Sequence, residues 1–191
     1  MTRAFVVTGA SKGLGRALAI EYAAPGVALA LIGRDAAALD DVADRARAKG
    51  ARVRIGRIDV RDRDAMHAFL VEVDEAEPTG CVIASAGVTM VTPHAGAVED
   101  LTRAQDLFDV NLNGVMNTLA PLAPRMRARR QGRIALFGSI AAFAPPPDSP
   151  SYAASKAAIV AFGLATRALR APLKVLGQLA ALGRRVHPEV V

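Results

Sequence analysis

Residues 4 to 15 constrain the chain more than any other stretch. Ala4 to Thr8 is a short apolar run, as a buried strand gives, and it enters Thr8-Gly9-Ala10-Ser11-Lys12-Gly13-Leu14-Gly15 directly. Leu14 to Ala24 then reads as a helix, stopped by Pro25-Gly26. Glycine loses more backbone freedom on folding than any other residue, so three in seven positions are a costly way to make a plain turn. They suit a tight strand-to-helix turn whose bare backbone a large anion can approach. The helix start adds unpaired amides and the positive end of its dipole. The spacing is G-x-x-x-G-x-G rather than G-x-G-x-x-G, but the same physics applies. A dinucleotide is therefore expected on Gly9, Ser11, Lys12, Gly13, Leu14 and Gly15.

The alternation continues. Val27 to Ile32 reads as a second buried strand, and Ala36 to Lys49 as a helix ended by Gly50. Arg52 to Ile58 is a third strand, and Asp62 an N-cap for a helix running to Glu75. Cys81 to Ala84 is a fourth strand, closing on Ser85-Ala86-Gly87. A long helix spans roughly Leu101 to Arg130, and Pro121 and Pro124 are expected to kink or split it. Ile134 to Phe137 is a fifth strand, Pro145 to Pro150 an irregular loop, and Tyr152 to Leu169 a helix. Strands alternating with helices imply α/β architecture: a doubly wound parallel sheet in three αβα layers, Rossmann-type, as a single domain. Residues 1–170 are expected to form the dinucleotide-binding and catalytic part, and residues 171–191 a divergent or truncated tail of the same domain.

The second strand ends on Ile32-Gly33-Arg34-Asp35. NAD binders usually place an acid there to accept from the ribose 2′-hydroxyl. An arginine instead pairs with a 2′-phosphate, and Lys12 adds a second positive charge. NADP(H) is thus the preferred cofactor and NAD(H) the alternative. Asp35 is read as the cap of the next helix.

The net charge of +6 raises the question of nucleic acid. From Tyr152 to Val191 there are six Lys/Arg and one acid, so the excess lies in the tail and not in a groove. No aromatic-lined or recognisable reading element accompanies it, which argues against nucleic acid. No apolar run is long enough to span a bilayer, and Met1-Thr2-Arg3 leads into the first strand with no signal-peptide pattern. Cys81 is the sole cysteine, so a reducing, cytoplasmic setting is expected. No metal site is expected.

Tyr152 and Lys156 are four residues apart on a helix and share a face. A phenol with a pKa of about 10 is a poor base, and a nearby ammonium favours its ionised form. Such a tyrosine exchanges protons with an alcohol or carbonyl oxygen. Ser139 follows the fifth strand, at the sheet edge where ligands sit in open parallel sheets. Asn111, in Val110-Asn111-Leu112-Asn113-Gly114, is a buried amide in need of partners, and a purely structural role stays open for it.

In these motifs, and in Asp59-Val60 after the third strand, the chain resembles the short-chain dehydrogenase/reductase (SDR) family, over about residues 1 to 170. The resemblance implies a function: an NAD(P)-dependent oxidoreductase acting on a small carbonyl or alcohol substrate. It implies that Tyr152 is the general acid/base, that Ser139 polarises the substrate oxygen, and that Lys156 binds the nicotinamide ribose beside the tyrosine. Asn111 would hold a relay water, Asp59 and Val60 would meet the adenine, and Ser85, Ala86 and Gly87 would line the cofactor. The family's usual asparagine before Ala86-Gly87 is Ser85 here. A homo-oligomer, dimer or tetramer, is implied, with the Asn111 and Tyr152 helices as one face.

The tail departs from the family. After Leu169 there is no clean β-branched run and no Pro-Gly, and the usual last strands and substrate loop are expected to be missing. Val175 to Leu182 reads instead as a short apolar helix, and Pro188-Glu189 as either a remnant of the turn or a coincidence. Two readings stand open: a shortened working reductase, or a truncated or frame-changed chain left as a dinucleotide-binding or structural protein.

Overall fold

The computed structural model describes residues 4–92, 98–168 and 174–178. Six parallel strands form one sheet: β1 (Ala4–Thr8), β2 (Ala28–Ile32), β3 (Arg52–Gly56), β4 (Cys81–Ala84), β5 (Arg133–Phe137) and β6 (Lys174–Gln178). Their order is β3-β2-β1-β4-β5-β6. The chain therefore reverses its direction of build between β1 and β4, which opens a crevice beyond their carboxyl ends. Phe5 pairs with Leu29 on one side and Cys81 on the other, and Cys81 in turn pairs with Arg133.

Strand composition follows from burial on two faces. All four residues of β4 are buried, whereas β3, nearer the edge, alternates and turns Arg52 and Arg54 outward. Val6 and Val7 enter different cores, as a period of two requires. Val7, Leu29, Leu31 and Ile83 pack under α1 (Gly13–Tyr22) and α2 (Ala36–Ala48). Val6, Ile32, Val82 and Leu136 pack under α3 (Arg63–Ala76), α5 (Gly114–Leu119), α6 (Ala123–Ala128) and α7 (Pro150–Ala168).

Three of the helices begin on aspartates. Asp35 accepts from Ala38 N at 3.1 Å and Asp62 from Ala65 N at 3.0 Å. Asp100 opens α4 (Leu101–Phe108) by accepting from Thr102 N at 2.9 Å. The helix α1 differs: it begins on Lys12, with no side-chain cap and no acid in its first turn. The long helix expected from Leu101 onward is three pieces. A π-helical turn, Asp109–Asn113, joins α4 to α5, and Pro124 sits in the first turn of α6 after the break.

Away from the crevice, the buried carboxylate of Asp74 ties α3 to the end of α6. It receives Arg129 through Nη1 at 2.9 Å and Nη2 at 2.8 Å, and the Thr79 amide at 2.9 Å.

One expectation about the tail is corrected. Lys174–Gln178 is a strand, pairing with Arg133–Phe137, and not the start of an apolar helix. The open edge of β5 supplies a row of donors and acceptors, and satisfying them outweighs weak local β-propensity. The rest of the proposed helix, and Pro188-Glu189, lie outside the described residues.

Candidate active site

The glycine turn runs from the end of β1 to the uncapped start of α1. Gly9 has φ +66° and packs so closely on the end of β4 that a Cβ there would lie 2.8 Å from Ala86 Cα. At Gly15 a Cβ would overlap the Gly9 carbonyl and stand 2.5 Å from Ser85 Oγ. Ser85 Oγ donates to Thr8 O at 2.5 Å, and Ala86 N donates to Thr8 Oγ1 at 3.2 Å. The small serine thus latches β4 to β1 in the space that α1 leaves.

Around this latch lies a cleft of about 410 Å³. It is lined by Gly9, Ser11, Lys12, Gly13, Leu14, Gly15, Arg34, Asp59, Val60, Ser85, Ala86 and Gly87, with Gly33, Val88 and Val110 completing it. Sequence reasoning passed over the last three. All three directly adjoin residues already singled out, Gly33 beside Arg34, Val88 beside Gly87 and Val110 beside Asn111, which was a usable signal.

At the far end of the cleft, Arg34 Nη1 lies 3.6 Å from Asp59 Oδ2 and is largely exposed. Asp59 also accepts from Arg61, through Nη2 at 2.8 Å, Nε at 3.1 Å and the backbone amide at 3.0 Å. These hydrogen bonds from Arg61 hold the Asp59 carboxyl below the usual carboxylate range. Arg61 was not legible beforehand, because its role depends on a chain reversal at Asp59. Val60 is buried against Gly114, where a Cβ would lie 2.6 Å from Val60 Cγ2.

At the opposite end sit Tyr152 and Lys156. Lys156 Nζ donates to Phe137 O at 3.0 Å and stands 5.8 Å from the centroid of the Tyr152 ring. Burial lowers the pKa of Lys156, since removing water disfavours its charged form. The Tyr152 ring packs against Met90, Ala104 and Leu107. Ser139 is half-buried, and its Oγ accepts from Ala141 N at 3.2 Å, starting the short turn Ile140–Ala142 that packs on α7.

Asn111 is buried within the π-helical turn. Its Oδ1 accepts from Val88 N at 2.8 Å, and Nδ2 donates to Val88 O at 2.9 Å and Ser155 Oγ at 3.1 Å. Ser155 Oγ in turn donates to Tyr152 O at 2.8 Å. Ser155 is a further residue that the sequence reading missed, although a serine at a buried position of an alanine-rich helix was a signal. Gly87 joins the two ends: it lines the cleft, and a Cβ on it would lie 3.3 Å from Asn111 Oδ1 and 3.8 Å from Lys156 Nζ.

Among the described residues, no group of three or more His, Cys, Asp or Glu side chains could hold a metal ion. Among the same residues, no helix is long and apolar enough to cross a membrane.

A family model described as short chain dehydrogenase matches residues 3–182. A short chain dehydrogenase of Pseudocercospora fijiensis is 30% identical over 82% of this chain and 51% of its own length. Two solved structures each superimpose with a TM-score of 0.83 at 28% identity, covering 92% of this chain. One is a short chain dehydrogenase/reductase from Burkholderia phymatum in complex with NAD, 64% of which is covered. The other is a metagenomic short-chain oxidoreductase in complex with NADP, 80% covered. The chain spans about half the length of several curated relatives that it matches.

Proposed function

This chain belongs to the short chain dehydrogenase family, and we propose that it is an NADP(H)-linked reductase of small carbonyl compounds, or dehydrogenase of the matching alcohols. The observation that carries the reading is Gly87, which borders the cleft and the Asn111–Lys156 cluster at once. The residues fit a dinucleotide. The start of α1 presents first-turn amides without a capping carboxylate, and Gly13 has φ +58° with nothing within 4 Å of its missing Cβ. Arg34 and Lys12 supply the positive charge for a 2′-phosphate. When bound, the nicotinamide supplies or accepts the hydride at the substrate carbon.

The protein's own groups do the rest. Ser139 donates a hydrogen bond to the reacting oxygen, and Tyr152 gives that oxygen its proton or takes it away. Lys156, fixed by Phe137 O, holds the ribose. Both amide protons of Asn111 are committed, so it holds a relay water through an acceptor oxygen. Self-association through α4, α5 and α7 follows from the same family reading, and Leu101 and Leu164 are exposed there.

Separate titrations with NADPH and NADH, followed by a panel of carbonyl substrates, test the proposal. NADPH should bind the more tightly. Arg34→Ala should weaken NADPH at least tenfold, about 1.4 kcal/mol, and leave NADH within twofold. Tyr152→Phe should abolish reduction and spare NADPH binding. Binding without turnover across the panel would refute the catalytic reading, and equal affinity for both cofactors would refute the NADP(H) preference.

A further inference from the structure

We infer that Glu99 is a positioning residue for Tyr152, capping α7 from outside the helix and clamping its first turn to α4. The inference rests on the catalytic reading of Tyr152 proposed above.

Tyr152 is the third residue of α7, which starts at Pro150. Amides in a first turn have no partner inside the helix, so a side chain placed there is held only as well as the turn is capped. Ser149, the residue before the helix, donates its hydroxyl to Asp148 Oδ1 at 3.0 Å. The acceptor for the turn comes from far along the chain: Ser151 N donates to Glu99 Oε2 at 3.1 Å, and Ser151 Oγ donates to the same oxygen. A carboxylate there also meets the positive end of the α7 dipole.

Its setting separates Glu99 from the other caps. Asp35, Asp62 and Asp100 each cap the helix that immediately follows them, and all three caps are exposed. Glu99 is 9% exposed, and its Oε1 has no hydrogen-bond partner among the described residues. Burying a carboxylate carries a desolvation penalty that an apolar side chain of similar size avoids. What Glu99 adds is a fixed joint. The dipeptide Glu99-Asp100 caps two helices, α7 through the glutamate and α4 through the aspartate. The Tyr152 ring lies in the same joint, against Ala104 and Leu107 of α4. Lys156, four residues further on, is anchored separately on Phe137 O. The spacing of the tyrosine from the lysine therefore depends on the first turn staying wound, and Glu99 holds that turn.

The test compares the parent protein with Glu99→Ala, Glu99→Gln and Ser151→Ala. Three quantities are measured: kcat with a substrate found in the carbonyl panel, the NADPH dissociation constant, and amide hydrogen exchange at Ser151 and Tyr152. Glu99→Ala should lower kcat at least tenfold and speed exchange at both amides at least tenfold. NADPH affinity should stay within twofold, since Lys156, the α7 residue proposed to hold the ribose, keeps its separate anchor on Phe137 O. Glu99→Gln keeps an acceptor oxygen at the same reach and should restore both readouts to within threefold of the parent. Unchanged kcat or unchanged exchange in Glu99→Ala overturns the inference, as does a loss of NADPH binding in step with kcat. Should Glu99→Ala not fold, Ser151→Ala decides: it removes one donor without opening a large void, and a kcat within 1.5-fold, roughly 0.2 kcal/mol, overturns the inference. A parent inactive on every carbonyl defeats the catalytic reading alone, and amide exchange still shows whether Glu99 holds the turn.

Discussion

Two glycines in one turn make a matched experiment. Gly9 and Gly13 have nearly the same φ, +66° and +58°, so alanine at either incurs the same left-handed penalty of about 1–2 kcal/mol. Their surroundings differ. A Cβ at Gly9 meets Ala86 Cα at 2.8 Å, Ala86 N at 2.9 Å and Ser85 C at 3.1 Å, all backbone atoms that no rotamer change can move aside. Overpacking of this kind adds about 1–3 kcal/mol. A Cβ at Gly13 meets nothing within 4 Å. Gly9→Ala should therefore lose about 2–5 kcal/mol and Gly13→Ala about 1–2 kcal/mol. With a urea slope of about 2 kcal/mol/M, the midpoints fall by roughly 1–2.5 M and 0.5–1 M. Binding should rank the other way among folded molecules. With the anion placed as proposed at the start of α1, the methyl of Gly13→Ala stands in its approach, and it should weaken NADPH at least tenfold, about 1.4 kcal/mol. Urea melts give the stabilities, and calorimetric titration below the transition gives the affinities. Equal stability losses would refute the packing argument. Parent-like NADPH affinity in Gly13→Ala would refute the placement of the anion.

Two further outcomes concern the scaffold. Burial opposes the charge on Asp74, but the hydrogen bonds from Arg129 and the Thr79 amide outweigh it, and its pKa is lowered. A lowered folded pKa means that this stabilisation is whole above the unfolded value of about 3.9 and is lost as pH falls through the folded value. Asp74→Ala should cost about 3–5 kcal/mol at pH 7, because Arg129 is left partly buried and unpaired. The difference from the parent should shrink in acid; urea midpoints from pH 3 to 8 check both, and a constant difference would contradict the assignment. Burial pushes the Cys81 thiol up to about 11, so a disulfide reagent at pH 8 should label it only after unfolding. Fast labelling of the native protein would contradict its place in β4.

What could be read in advance was whatever the chain encodes locally. The apolar run Ala4 to Thr8, the glycines after it and the aspartates at positions 35 and 62 act within a few residues of themselves, so local rules found them. The cleft residues were legible for a related reason: in a parallel sheet, whatever follows a strand arrives at the same edge. Lys174–Gln178 was not legible, because its strand conformation is imposed by the edge of β5 and not by its own side chains. Arg61 and Glu99 were hidden in the same way. Each is ordinary in its local context and acquires a role only from a partner brought close by the fold, such as Glu99 from Ser151, 52 positions away. Asn111 lay between these cases. Its need for partners was plain, but the identity of Val88 and Ser155 required coordinates.

The π-helical turn at Asp109–Asn113 has a consequence best put in terms of phase. Such a turn amounts to one extra residue in a helix, which rotates everything after it by about 100° relative to an unbroken α-helix. Ahead of the turn, α4 faces α7 and the Tyr152 ring; after it, α5 faces α3, with Gly114 seated on Val60 and Asn117 Nδ2 donating to Val60 O at 2.9 Å. The extra residue lets one continuous rod address two directions. Deleting a residue of this turn other than Asn111 would leave every remaining side chain unchanged and still uncouple the two ends of the cleft. It would swing Gly114 and Asn117 away from Val60 while α4 stayed against α7. In this protein that stretch is sensitive to its length as well as to the identity of Asn111.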